Sequence, residues 1–159
     1  MATYTDAFGF DKGTTASFPD KGMSKISMVE VDMNLATITA ARVTAGATAL
    51  AGGDILQALL IPAKTYVLAA GIDVTTAEGA TQTIDLGDGA DADGYLDGVN
   101  GNAAASYASA LALAEGTPNT IVGFSNGKYY SAADTIDVVF VNAADTMVMR
   151  VWAVVVDCG

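Results

Sequence analysis

Between Thr146 and Val156 an apolar residue stands at every second position. Met147, Met149, Val151, Ala153 and Val155 share one face, while Arg150 and Trp152 share the other. A period of two fits an extended strand and no helix, because successive Cβ atoms of a strand point to opposite sides. The same period runs through Ser27–Met33, with Val29, Val31 and Met33 opposed to Met28, Glu30 and Asp32. It returns in Lys64–Val74, where Tyr66, Leu68, Ala70, Ile72 and Val74 form the expected inward set. β-Branched runs at Thr81–Leu86 and Asp134–Val141 add two more strands. Several half-buried strands demand a second layer to cover them, so the fold is set toward a sandwich or barrel before any motif is considered.

The intervening segments fill in the pattern. Leu35–Val43, rich in Thr, is expected to continue the first strand or to start another. Gly46–Gly53 reads as a loop, and Asp54–Ile61 as a short buried strand or helical turn ended by Pro62. Thr76–Ala80 is expected to close a hairpin onto Thr81–Leu86, and Asn142–Asp145 a four-residue turn before the last strand. Ser125-Asn126-Gly127 carries the Asn-Gly signal of a tight hairpin between Thr120–Phe124 and Lys128–Tyr130. Ala103–Ala114 is helical by propensity and strand-like by its neighbours, and we assign it as strand. The sum is about eight strands with turns every 8–12 residues, an all-β domain over residues 26–159 that is a sandwich, a jelly roll or a closed barrel.

Residues 1–25 differ. They hold Phe8, Phe10 and Phe18, three cations (Lys12, Lys21, Lys25) and frequent turn formers, with little alternation. We read an extended N-terminal arm whose phenylalanines anchor on another subunit's surface.

Composition narrows function by exclusion. There is no histidine, so a Ser-His-Asp triad, a Cys-His dyad and an imidazole-bound zinc are all ruled out. One cysteine allows neither an intrachain disulfide nor a thiolate cage, and Cys158 beside the last residue reads as incidental. With 18 acidic against 7 basic residues the net charge is −11, which disfavours nucleic acid and anionic membranes as partners. No basic n-region precedes an apolar stretch, and no apolar run reaches the ~18 residues of a membrane helix. A soluble protein assembling in a reducing cytoplasm is expected. The chain has 30 Ala, 17 Gly and 17 Thr, so each buried position contributes less than a Leu or Phe would. Association with copies of itself or a partner would supplement such a thin core.

One constellation could carry chemistry. Asp85, Asp88, Asp91, Asp93 and Asp97 fall in thirteen residues with no cation between them. A calcium ion would neutralise them, and Asp91-x-Asp93-Gly94 overlays part of an EF-hand loop. However, Gly89 and Asn100 stand where the first ligand and the bidentate acid belong. A solvated acidic turn is the competing reading, and no metal ligand is assigned. A glycosidase-like carboxylate pair lacks a cleft. Gly87-Asp88-Gly89 is no phosphate loop, since no Lys-Ser/Thr follows it. Trp152 reads as packing rather than a sugar platform, and Tyr129-Tyr130 as sheet-surface aromatics. No catalytic or cofactor-binding residue is assigned, and no cofactor is expected.

Three stretches carry a resemblance. Asp54–Leu68 with Gly71–Gly79, then Ile84–Asp97, then the closing Met147–Asp157 resemble small structural proteins of tailed bacteriophages, including those of cyanophages. These are head decoration (cement) or minor virion proteins, and the likeness spans about half the chain, residues 50–100 and the C-terminal strands. It implies an all-β, jelly-roll-like antiparallel β-sandwich assembling as a homotrimer on the shell, bound to the major capsid protein and located on the virion surface. Residues 2–25 would then reach along the capsid or to a neighbouring subunit. Two alternatives are a tail-associated module binding host glycan through Tyr95, Tyr129 or Trp152, and a calcium-dependent module built on Asp85–Asp97.

Overall fold

The computed structural model describes residues 3–4, 26–103, 106–109 and 127–159, with 3–4 and 106–109 described as backbone. In chain order the elements are β1 (Thr3–Tyr4), β2 (Ile26–Asn34), α1 (Leu35–Thr44), β3 (Ile55–Ile61), β4 (Thr65–Thr76) and β5 (Thr83–Gly87). β6 (Leu96–Asn100), β7 (Ser106–Ser109), β8 (Lys128–Tyr130), β9 (Asp134–Phe140) and β10 (Val148–Asp157) follow. They form two sheets. Sheet A has the order β1-β3-β9-β5-β6, and sheet B the order β2-β10-β4-β7, with β8 also paired to β4. Every pairing is antiparallel except β1 with β3. The all-β sandwich is as expected, and its chain order is compatible with a jelly roll.

The core lies between the sheets. Val31 and Met33 of β2, Val67, Ala70, Ile72 and Val74 of β4, and Met149, Val151, Ala153 and Val155 of β10 face Leu56, Ile61, Ile84, Leu86, Ile136, Val138 and Phe140 from sheet A. The expected inner face of the last strand is therefore correct throughout. That of β4 is correct only from Ala70 onward. Between Val154 and Val155 the register against β4 slips from Ala69 to Val67, which leaves Leu68 as the extra residue of a bulge. One added residue reverses the faces, so Val67 turns inward while Tyr66 and Leu68 turn out.

Three local expectations are corrected. Leu35–Val43 is not strand but the helix α1. Asn34 caps it by accepting from the Thr37 N–H at 3.1 Å, and Leu35, Ile38 and Arg42 form its buried stripe. The Thr76–Ala80 segment closes no hairpin, because β4 lies in sheet B and β5 in sheet A. Asn142–Asp145 likewise carries the chain from β9 in sheet A to β10 in sheet B. Within Ala103–Ala114 a strand is present at Ser106–Ser109. Phe8, Phe10, Phe18, Lys12, Lys21 and Lys25, and the expected strand Thr120–Phe124, lie outside the described residues.

Candidate interaction surface

The outward face of sheet B divides into an apolar zone and a charged zone. Antiparallel partners share a face, so the register fixes the neighbours. Val156 stands between Ile26 and Tyr66, Val154 between Met28 and Ala69, and Trp152 between Glu30 and Gly71. Tyr66 pairs in turn with Tyr129 of β8. Ile26 is 68% exposed, Met28 54% and Tyr129 49%, with Leu68 beside them on the bulge. Large apolar side chains left in water on neighbouring strands make a contiguous patch, the usual mark of an interface.

At the other end of the same face lies an ionic cluster. Arg150 Nε donates to Asp32 Oδ1 at 2.8 Å and Nη2 to Asp32 Oδ2 at 3.3 Å, with Glu30 Oε2 at 3.8 Å from Nη1. This fork holds the Asp32 carboxyl below its usual range and pushes the guanidinium up. Asp73 flanks Arg150 on β4. The apolar zone is thus bordered by net negative charge.

The outward face of sheet A is built differently. At Gly87 it is covered by the acidic loop between β5 and β6. Asp88 is the pivot of that loop and is buried. Its Oδ1 accepts from the N–H groups of Ala90 (2.9 Å) and Asp91 (3.2 Å), and its Oδ2 from Tyr130 Oη (2.7 Å) and the Lys128 ammonium. Tyr130 Oη also meets Tyr95 Oη at 2.9 Å, and Lys128 Nζ lies 5.1 Å from the Tyr130 ring centre. Burial alone would raise the Asp88 carboxyl. Lys128, Tyr130 and the Ala90 N–H outweigh it and hold the group below its ordinary value. Burial raises both phenols.

The remaining acids of the loop are only partly as expected. Asp91 and Asp93 are half-buried and Asp97 exposed. Asp91 is raised, chiefly because it shares a hydrogen bond with Asp93. Burial raises Asp85 too, against the Gly98 N–H that it accepts at 2.9 Å. The solvated-turn reading is corrected at Asp88, whose cation, Lys128, is forty residues away in sequence and adjacent in space. Among the described residues no three acidic or sulfur side chains are grouped to hold a metal ion. Tyr95 is wholly buried, which removes it from any exposed aromatic platform.

Sequence reasoning missed one member of this region. Asp137, on β9, points outward beside Gly87 of β5 and Gln57 of β3. A Cβ on Gly87 would lie 2.0 Å from the Asp91 carbonyl oxygen, so the loop rests directly on the sheet there. Asp137 is 5% exposed, and its Oδ1 makes no hydrogen bond. Burial pushes its carboxyl up to about 6, with the nearby Thr135 hydroxyl opposing and Asp134 and Asp88 adding to the rise. An isolated Asp in an otherwise apolar run, Ile136-Asp137-Val138, was the available signal.

No family model matches the chain, and no curated protein does. Solved structures do. A chain of the capsid of Ralstonia phage GP4 is similar over 97% of this chain and 97% of its own, with a TM-score of 0.52 and 16% identity. One from the capsid asymmetric unit of cyanophage Pam1 is similar over 87% of this chain and 89% of its own, with a TM-score of 0.51 and 18% identity. A third, from the acidic stable capsid structure of Helicobacter pylori bacteriophage KHP30, covers 84% and 92%, with a TM-score of 0.50 and 11% identity. All three are chains of phage capsids. The likeness is one of fold, and it runs nearly end to end in both directions.

Proposed function

We propose that this chain is a structural protein of a phage virion, a cement or decoration protein that seats on the mature head and stabilises it. The observation that carries this reading is the likeness in fold, over 84–97% of this chain, to chains of three phage capsid structures. The zoned face of sheet B supports it. Ile26, Met28, Val154, Val156 and Tyr129 supply the apolar seat, and the acidic surface keeps covered particles apart. The residues ahead of β2 form the arm that reaches along the shell. The mechanism is mass action: a subunit that binds the closed shell better than the open one stabilises the closed one, and repeated sites add avidity.

The assembling unit is a homotrimer, with a solution mass of about 48 kDa, three times the 16.1 kDa chain. The direct test is co-sedimentation with purified heads of the encoding phage from which this protein is absent. Saturable binding at a fixed number of copies per head is expected. Met28→Glu, an exposed position on the apolar zone, should weaken binding by about tenfold or more while leaving the melting temperature within a degree or so. Wild-type protein that stays in the supernatant at every concentration would overturn the reading.

A further inference from the structure

β3 is where sheet A would otherwise end. Its edge is filled by β1 in parallel, Thr3 against Ile55 and Tyr4 against Leu56. Among the described residues nothing pairs with the rest of that edge, although β3 runs on to Ile61 and carries Leu60 half exposed. An apolar strand whose outer N–H and C=O groups beyond Leu56 have no ladder partner among the described residues is a slot that accepts another strand.

The length of chain between the strand and its own domain is informative. From Tyr4 the chain must return to Ile26, the first residue of β2, which is the edge of sheet B. β2 and β3 are in contact, so the two sheet edges lie on one flank of the sandwich. Packed sheets are ~10 Å apart. Twenty-one residues intervene, and at ~3.3 Å each they can span ~70 Å, several times that distance. The tether is far longer than pairing within one chain needs, and long enough to cross to a second molecule. Two residue pairs contribute little to one subunit, whereas the same hydrogen bonds made between subunits tie copies together and gain avidity.

We propose that the β3 edge is the receptor for the N-terminal strand of a second copy of this chain, so that subunits are linked by strand exchange through Thr3–Tyr4. This goes beyond the capsid reading, since it concerns copies of the chain in free solution and stands or falls whatever they coat.

Single-cysteine chains test it. In a Cys158→Ser background, Thr3→Cys is placed on one chain and Ile55→Cys on a second that carries a size tag. Adjacent strand partners lie within disulfide reach. The full-length chains are mixed, allowed to exchange, oxidised gently and run without reductant. The expected result is a shift of both chains into one mixed band of double mass, absent when Ile55→Cys is replaced by the exposed Val43→Cys. The chain carrying both cysteines should form covalent oligomers. A mixture that stays monomeric, while the doubly substituted chain closes an internal disulfide, would place the strand on its own subunit and overturn the proposal. So would a mixed band equally strong with Val43→Cys, or no disulfide in any combination.

Discussion

Asp137 is the residue at which sequence and environment disagree most, and the disagreement has a measurable size. Its carboxyl lies under the loop that roofs Gly87, 5% exposed, with one oxygen unpaired. The folded protein holds it near a pKa of about 6, against 3.8 for an ordinary Asp. A carboxyl raised on folding binds its proton more tightly in the native state, so stability falls as pH climbs from about 4 to about 6 and stays low above that. Two pH units at ~1.4 kcal/mol each put the cost of the buried charge at about 3 kcal/mol near neutrality. Asp137→Asn keeps the shape and deletes the charge. The variant should be about 2–3 kcal/mol more stable than wild type near pH 7.5, and the gain should shrink toward zero near pH 4, where Asp137 is protonated anyway.

Guanidinium unfolding at several pH values is the assay, because every other acid in the chain is common to both proteins and cancels in the difference. For a domain of this length ~3 kcal/mol corresponds to roughly 6–12 °C in melting temperature. A variant no more stable than wild type near neutral pH would refute the reasoning. A gain that did not change with pH would refute it too, since that would be packing and not charge.

Glu78 makes the opposite case. Although burial works against its charge, the Thr146 hydroxyl and the N–H groups of Thr146, Met147 and Gly79 hold its carboxyl below the usual range. Its contribution is present above pH ~4.5 and lost as pH falls through the lowered value, so acid unfolding of Glu78→Ala should be flatter than that of wild type. Near neutral pH the same variant strands the N–H groups of Asp145, Thr146 and Met147, while that of Gly79 keeps the Thr146 hydroxyl, and should lose about 3–5 kcal/mol, with Glu78→Gln losing less, as read by denaturant midpoint. Gly87→Ala should destabilise by about 2–4 kcal/mol, because its Cβ must displace the Asp91–Ala92 backbone; quenching of tyrosine fluorescence would report whether the Tyr95–Tyr130–Asp88 cluster opens with it.

How far the sequence speaks for this fold depends on the range of the signal. β10 was legible residue by residue because its alternation runs unbroken against partners on both sides. β4 was half legible, since a bulge at Leu68 reverses the faces and nothing in Tyr-Val-Leu-Ala announces it. The helix α1 was hidden because Arg42 occupies the third inward position of its stripe. That arginine is buried and paired with Asp54, whose Oδ2 lies 3.4 Å from its Nη1. Helical periodicity in apolar residues cannot show a stripe completed by a paired charge. Asp88 was hidden for the same reason on a longer scale, its cation arriving from β8. Turn signals at Thr76–Ala80 and Asn142–Asp145 located chain reversals correctly but could not say which sheet receives the next strand.

Those crossings explain where the buried polar residues went. Most connections between successive described strands pass from one sheet to the other; β5 and β6 both stay in sheet A, and β7 and β8 both pair with β4 in sheet B. A crossing chain leaves backbone donors and acceptors at the ends of the sandwich with no ladder partner, and each must be satisfied there. Three buried polar groups do so. Arg42–Asp54 joins the end of α1 to the start of β3, with Asp54 also accepting the Ala51 N–H. Glu78, after β4, receives the N–H groups leading into β10. Gln82, before β5, donates to the carbonyls of Asn142 and Ala143 and accepts the Asn142 N–H. With the ends tied in this way and Gly87 covered by the β5–β6 loop, the described residues leave the apolar zone of sheet B and the β3 edge beyond Leu56 uncovered. Apolar side chains in water and unpaired strand edges both cost free energy, so these two surfaces are where a covering partner would stabilise the domain most.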